Sequence, residues 1–208
     1  MTALQPWDRA RTAADLGALT AQWLRGRIAS RPGYQPGWGP SEETTTSPRL
    51  MAALLLANGA GFVTTASQPG FAGLLRESHL WSQRPAVTGW VTDEAVLERL
   101  CAAANAHALL LSVYHPAGPS LRHDGIPVTT RDSRPVTWFG RPHDPSREWN
   151  GAGEAAVRQM RGAWQVTLVD PDAEDRPLLW DALTGALSTN PVGDRHEAGL
   201  LTARQVTR

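Results

Sequence analysis

The chain has no lysine: all 20 of its basic residues are arginine, balanced by 20 acids to a formal net charge of +0. Together with the alanine, glycine and proline load, this arginine usage reads as the coding bias of a GC-rich genome. No dense arginine cluster appears, which argues against the basic stripe that nucleic-acid binders use to neutralise phosphates. There is one cysteine. Cys101 alone cannot form an intramolecular disulfide, so a disulfide-built scaffold is excluded and a reducing, cytoplasmic compartment is expected. Long apolar runs are also missing. The longest, Leu50 to Ala57, falls far short of a membrane span. Met1 to Asp15 mixes Asp8, Arg9 and Arg11 with no apolar stretch and does not read as a signal peptide. No internal repeat of solenoid period is present.

What is there fits one globular domain. At 208 residues with 41% hydrophobic and 19% charged residues, the chain can bury one core and lies outside the disordered class. Residues 1–208 are therefore read as a single domain, with a Pro/Gly-rich loop over 31–47 and a loose tail over 189–208. Leu16, Leu19, Trp23, Leu24 and Ile28 recur at helical spacing and predict a helix over about 13–28. Ser47 and Pro48 open a second helix, which Asn58-Gly59 close. Gly61 to Ala66 reads as a buried strand, and residues 71–85 fit no one element. Residues 86–91 alternate as a strand, Thr92 caps a helix to about 106, and Ala108 to Tyr114 is a strongly apolar strand. Strand, helix, strand is the pattern of a crossover between parallel neighbours. Ile126–Thr130 and Pro135–Phe139 suggest a hairpin. A helix over Glu154–Ala163, a strand over Gln165–Val169 and a helix over Leu178–Leu187 complete the series. The expected class is α/β or α+β: a single mixed sheet of about five to six strands flanked by helices, with one β-α-β crossover over 86–114.

Asp15-Leu16-Gly17, Glu42-Glu43-Thr44 and the stretch Asn58-Gly59-Ala60-Gly61-Phe62-Val63-Thr64-Thr65-Ala66-Ser67-Gln68-Pro69-Gly70 resemble an actinobacterial family of uncharacterised proteins. The resemblance covers the first third to half of the chain. It implies a bacterial, intracellular origin and carries over no activity or site residue. Phe62 to Ser67 also resembles a strand of the wybutosine tRNA-modifying proteins, but Gln68 stands where those carry a cysteine.

Candidate chemistry clusters after the predicted strands. Thr64, Thr65, Ser67 and Gln68 place hydroxyls and an amide where a buried strand ends, and crevices beyond strand ends collect ligands in open α/β sheets. The competing reading is a strand running into an ordinary turn. His115 follows the apolar strand directly, and His123-Asp124 and His143-Asp144 lie in the loop-rich region beyond it. His115 or His123, with Asp124, suits proton transfer near neutral pH. Spacing gives no metal-ligand motif, so no metal is assigned. Asp170, before Pro171, faces the same crevice on this reading, or simply starts a turn. Trp38, Trp138 and Trp149 sit in or near predicted loops, with Trp138 a candidate to stack on a ligand. Cys101, mid-helix beside alanines, reads as core rather than nucleophile.

Two functions follow. One is a small enzyme, of hydrolase or transferase type, acting on a polar or nucleotide-like small molecule in the strand-end crevice. The other is a non-catalytic binding or interaction protein, of immunity or regulatory type, that works through its Trp-bearing loops. The expected partner is a polar small molecule; no membrane is expected, nucleic acid is disfavoured without a local groove being excluded, and no motif points to a cofactor.

Overall fold

The computed structural model describes residues 6–115, 117, 124–174 and 176–188. The helices are α1 (Ala13–Leu24), α2 (Glu42–Thr46), α3 (Pro48–Gly59), α4 (Glu94–Ala106), α5 (Pro145–Glu148), α6 (Glu154–Arg161) and α7 (Leu178–Ser188). The strands are β1 (Phe62–Gln68), β2 (Phe71–Arg76), β3 (His79–Gln83), β4 (Ala86–Val91), β5 (Leu110–Tyr114), β6 (Ile126–Arg131), β7 (Arg134–Phe139) and β8 (Trp164–Val169).

They form two four-stranded sheets, in the orders β1-β4-β8-β5 and β2-β3-β6-β7, and every pairing is antiparallel. The expected single mixed sheet is corrected on this point. The stretch 71–85 that fitted no element is the hairpin β2–β3. It turns through Glu77 and Ser78, both at positive φ. Two-residue turns of this kind usually carry Asn-Gly, so the hairpin lacked its ordinary sequence mark.

The crossover over 86–114 is half right. β4 and β5 run in the same direction with α4 between them, but β8 lies between the strands and pairs antiparallel with both. A late strand takes the slot that a local reading gives to the next one. β5 therefore lies on the sheet edge. Leu100 is fully buried and Leu97 is partly buried, but Leu110 and Val113, whose place in a strongly apolar crossover strand implies burial, are exposed.

Local chemistry explains most boundaries. Thr12 caps α1, with Asp15 closing a capping box from the third helical position. Asp93, not Thr92, caps α4 by accepting from the Ala95 amide. α3 starts with Pro48 as expected, but Gly61, at φ 93°, makes the left-handed turn. Asn58 instead ties the helix to β1. Its Nδ2 donates to Thr64 Oγ1 at 2.7 Å, and its Oδ1 accepts from the Thr64 amide at 3.1 Å.

α1, α3, α4 and α7 pack together over the first sheet, with a core that includes Leu16, Leu50, Leu54, Phe62, Leu100, Leu168 and Leu179. Gly17 permits the α1–α3 approach: a Cβ there would lie 2.4 Å from the Asn58 carbonyl oxygen. The other face of this sheet is partly polar. Thr88 and Thr167 share a 2.7 Å hydroxyl contact, and Gln165 binds the Arg141 carbonyl and the His143 amide. A smaller cluster of Ala86, Val128 and Val169, with Ile126 and Phe139 against it, joins the two sheets. Among the described residues no helix is long and apolar enough to cross a membrane.

Candidate functional site

The two halves of the expected crevice are not brought together. β1 and β5 are opposite edges of the first sheet, and three successive antiparallel pairings make them run in opposite directions. Ser67 and His115 thus stand at different edges and different ends. Both nitrogens of the His115 ring are engaged, with Nε2 3.2 Å from the Gly162 carbonyl and Nδ1 3.2 Å from the Ala117 amide. Its ring packs 5.3 Å from that of Trp164. His123 lies outside the described residues. Asp124 is exposed and accepts from Arg141 Nε through its backbone carbonyl.

Thr64, Thr65 and Ser67 do line a cavity, of about 160 Å³, with Thr20, Trp23 and Tyr34. Most of its polar groups are already committed. Thr20 donates to the Leu16 carbonyl, Thr65 to the Thr88 carbonyl and Tyr34 to the Thr65 carbonyl, while the Thr64 hydroxyl accepts from Asn58 Nδ2. Gln68 faces elsewhere. Its amide donates to the Arg84 and Val128 carbonyls and clamps the two sheets together. Trp149, read as a loop residue, is wholly buried, whereas Trp38 is 60% exposed. Trp138 is half-buried on β7 beneath the Arg141 guanidinium, 4.8 Å from its centroid. Cys101 sits at the margin of the core rather than in it. Burial, and then the Glu98 carboxylate, push its thiol up, the opposite of an activated nucleophile.

Behind the small cavity lies a buried cation. The Arg31 side chain is 0% exposed, and its guanidinium carbon is 4.8 Å from the Trp149 ring, 5.1 Å from Tyr34 and 5.7 Å from Trp23. Glu148 pairs with it at 3.3 Å. Among the described residues its Nε has no hydrogen-bond partner. An arginine so enclosed holds the segment before α2 against the sheet, and its complete burial keeps it away from a ligand in the cavity.

The larger cavity is a cleft of about 750 Å³ where the β1–β2 corner meets the amino ends of α3 and α7. Arg49, Arg76 and Arg176 line it, with Glu43 and Ser47. Arg176 is fixed by Asp170, whose fully buried carboxylate takes Arg176 Nη2 at 2.7 Å and Nε at 3.1 Å; Asp172 pairs with it as well. Those bonds from Asp170 hold Arg176 firmly charged. Asp170 therefore serves the cleft from behind, as a positioner of Arg176. Arg49 and Arg76 are exposed and make no ion pair among the described residues.

Arg49 stands in the first turn of α3, which contains no acid, and Ser47 makes no side-chain capping bond. A cation at a helix amino end adds to the positive pole of the helix dipole instead of offsetting it. Sequence reasoning passed over Arg49 although this signal was readable: Pro48 marks the helix start and arginine follows at once. Arg76 and Arg176 had no such mark. Gly70 shapes the floor, since a Cβ there would lie 2.7 Å from both the Glu174 carbonyl oxygen and the Pro85 ring. Among the described residues no group of three or more His, Cys, Asp or Glu side chains is placed to hold a metal ion.

The fold and cleft define a two-sheet α+β protein with an arginine-lined cavity at converging helix amino ends. The chain belongs to the family described as a domain of unknown function (DUF6919), which it matches over residues 2–190. No curated protein matches it.

Proposed function

We propose that this chain is a binding protein for an anionic small molecule, one carrying a phosphate or carboxylate group, held in the arginine-lined cleft. The observation that carries the reading is the convergence of Arg49, Arg76 and Arg176 with the open first turn of α3 in one cavity of about 750 Å³. Guanidinium groups and free helix N–H groups are the donors that suit planar, multidentate anions. The cavity lies in the range of small-molecule sites.

Binding is favoured over chemistry by what lines the cleft. Its titratable side chains are three arginines and Glu43, whose carboxylate already accepts from Gln83 Nε2 at 3.3 Å. A group free to take and return a proton near neutral pH is not among them. The separation of Ser67 from His115 also removes the arrangement on which an enzyme reading rested.

Titration with pyrophosphate, followed by calorimetry and thermal unfolding, tests this. Ligand at a hundredfold excess over Kd stabilises a folded protein by about 2.7 kcal/mol. The shift is expected for the native chain and lost in Arg49→Ala and Arg76→Ala, which replace exposed side chains and leave the fold intact. Equal binding by both variants would sink the proposal.

A further inference from the structure

The face of the second sheet that carries Arg76 continues beyond the cleft. Directly paired residues of antiparallel strands share a face. Leu74, Trp81, Arg131 and Arg134 are paired in succession and make one row across all four strands. Arg76 and His79 make the next row. Arg131 and Arg134 are exposed, directly opposite one another, and neither makes an ion pair among the described residues. Like charges so placed repel and destabilise the hairpin, so an anion laid across them relieves a cost that the free sheet carries. Trp81 is half-buried on the inner strand β3, with the Arg131 guanidinium 5.7 Å from its ring centroid.

The neighbouring acids offset part of this charge, and Asp132 attracts Arg131 directly, but none of them forms an ion pair with any of the four arginines among the described residues. Asp132 is engaged by His79 Nδ1 at 2.6 Å and by the Leu80 amide at 2.9 Å. Glu43 bonds to Gln83, and Glu77 sits in the β2–β3 turn at the rim. A cavity of about 560 Å³ opens beside His79, Arg131, Asp132 and Arg134. A succession of arginines free of ion pairs among the described residues thus runs from Arg49 in the cleft, through Arg76, to Arg131 and Arg134, with an indole in its middle.

We infer that this face binds single-stranded nucleic acid, with one phosphate in the cleft and the strand crossing Trp81 toward Arg134. The inference rests on the cleft being an anion site and extends it from a small molecule to a polymer. Four-stranded antiparallel sheets hold single strands by stacking bases on sheet aromatics while arginines follow the phosphates. A duplex is too stiff and closed to offer its bases to Trp81.

The test is fluorescence anisotropy with a labelled oligothymidylate of twelve nucleotides. On this geometry Arg49 and Arg76 share the cleft phosphate and Arg131 and Arg134 take one each, so the log–log salt slope should be about −2 for a single strand. Arg131→Ala with Arg134→Ala should cut that slope by about two-thirds. Trp81→Leu, which keeps the apolar bulk and removes the indole, should weaken binding about tenfold. Arg158→Ala, on the exposed face of α6, should change nothing. Pyrophosphate titration of the same variants separates the two ideas. Pyrophosphate binding without strand binding overturns only the nucleic-acid inference; strand binding indifferent to Arg49→Ala overturns the placement of a phosphate in the cleft. Equal affinity for duplex DNA, heparin or an acidic peptide, insensitive to Trp81→Leu, would overturn the inference in favour of a generic polyanion or acidic-protein surface.

Discussion

The two sheets have the same number of strands and opposite surroundings. β4 is buried along its whole length, and β8 along all but its first residue. β2 is exposed from its second residue onward, and β7 over its first four. Helices cover the first sheet; the second stands out from it, anchored by the small cluster around Val128. The difference teaches where stability and recognition are separated in this molecule. A sheet with both faces covered is held by area removed from water. One with open faces is held by its ladder, its turns and a few polar latches, and its outward side chains are free to meet a ligand.

The contrast is tested most severely by truncation. Leu100→Ala and Leu168→Ala remove side chains at 0% and 1% exposure, and each should cost about 2–5 kcal/mol in denaturant unfolding through transfer loss and the cavity left behind. Leu75→Ala, at 69% exposure on β2, should stay within about 0.5 kcal/mol. A large effect at Leu75 would mean that something covers the second sheet.

Arg31 sharpens the comparison from the covered side. Arg31→Ala empties the space between three aromatic rings and should cost about 3 kcal/mol. Arg31→Met keeps most of that volume and removes an unpartnered buried Nε, so its melting temperature should lie clearly above that of Arg31→Ala. Equal losses would show that the charge, rather than the packing, holds the loop.

The hairpins of the second sheet should respond to acid before the covered sheet does. Asp132 is held below the usual aspartate range by the Leu80 amide first and then by His79. A lowered carboxyl contributes stability that is present above its unfolded value and lost as pH falls through its folded one. Loosening is therefore expected only below the ordinary aspartate range, seen as faster exchange of the Leu80 amide while amides of β4 and β8 stay protected. Asp132→Asn should produce that loosening at neutral pH.

The smallest effect concerns the turns. Glu77 and Ser78 hold φ of 49° and 66°, and Asp132 and Ser133 hold 49° and 64°. Side chains in this region strain the backbone, and glycine at the second position relieves it. Ser78→Gly should slow amide exchange in β2 and β3 by a few tenths of a kcal/mol and leave global unfolding nearly unchanged. A matching rise in global stability would show the two sheets unfolding as one unit.

What could be read from the chain follows from how far each signal reaches. The helix starts near Ala13, Pro48 and Glu94, and the hairpin over 126–139, are written in caps, periodicity and turn residues a few positions apart. β2–β3 was not, because its strands face solvent and carry no clean alternation, and its turn opens on Glu77 where β6–β7 has the turn-former Asp132. Thr64, Thr65 and Ser67 were found as cavity-lining residues, but the hydroxyls that made them conspicuous are mostly spent on their own fold. The all-arginine composition and zero net charge gave no hint that residues 49 and 76 line one cavity or that residues 131 and 134 stand opposite one another.

By itself, then, the sequence determined the local backbone: which stretches are helix or strand, where they begin, and which sides are apolar. Those depend on φ/ψ preference, capping and burial of one face, all expressed within a few turns of chain. Only the tertiary structure decided that β8 enters between β4 and β5, that Arg31 is enclosed by Trp23, Tyr34 and Trp149, and that Arg49, Arg76 and Arg176 meet. Strand order and charge convergence are set by which non-local packing removes the most apolar surface while satisfying every buried polar group, and no short window of sequence contains that competition.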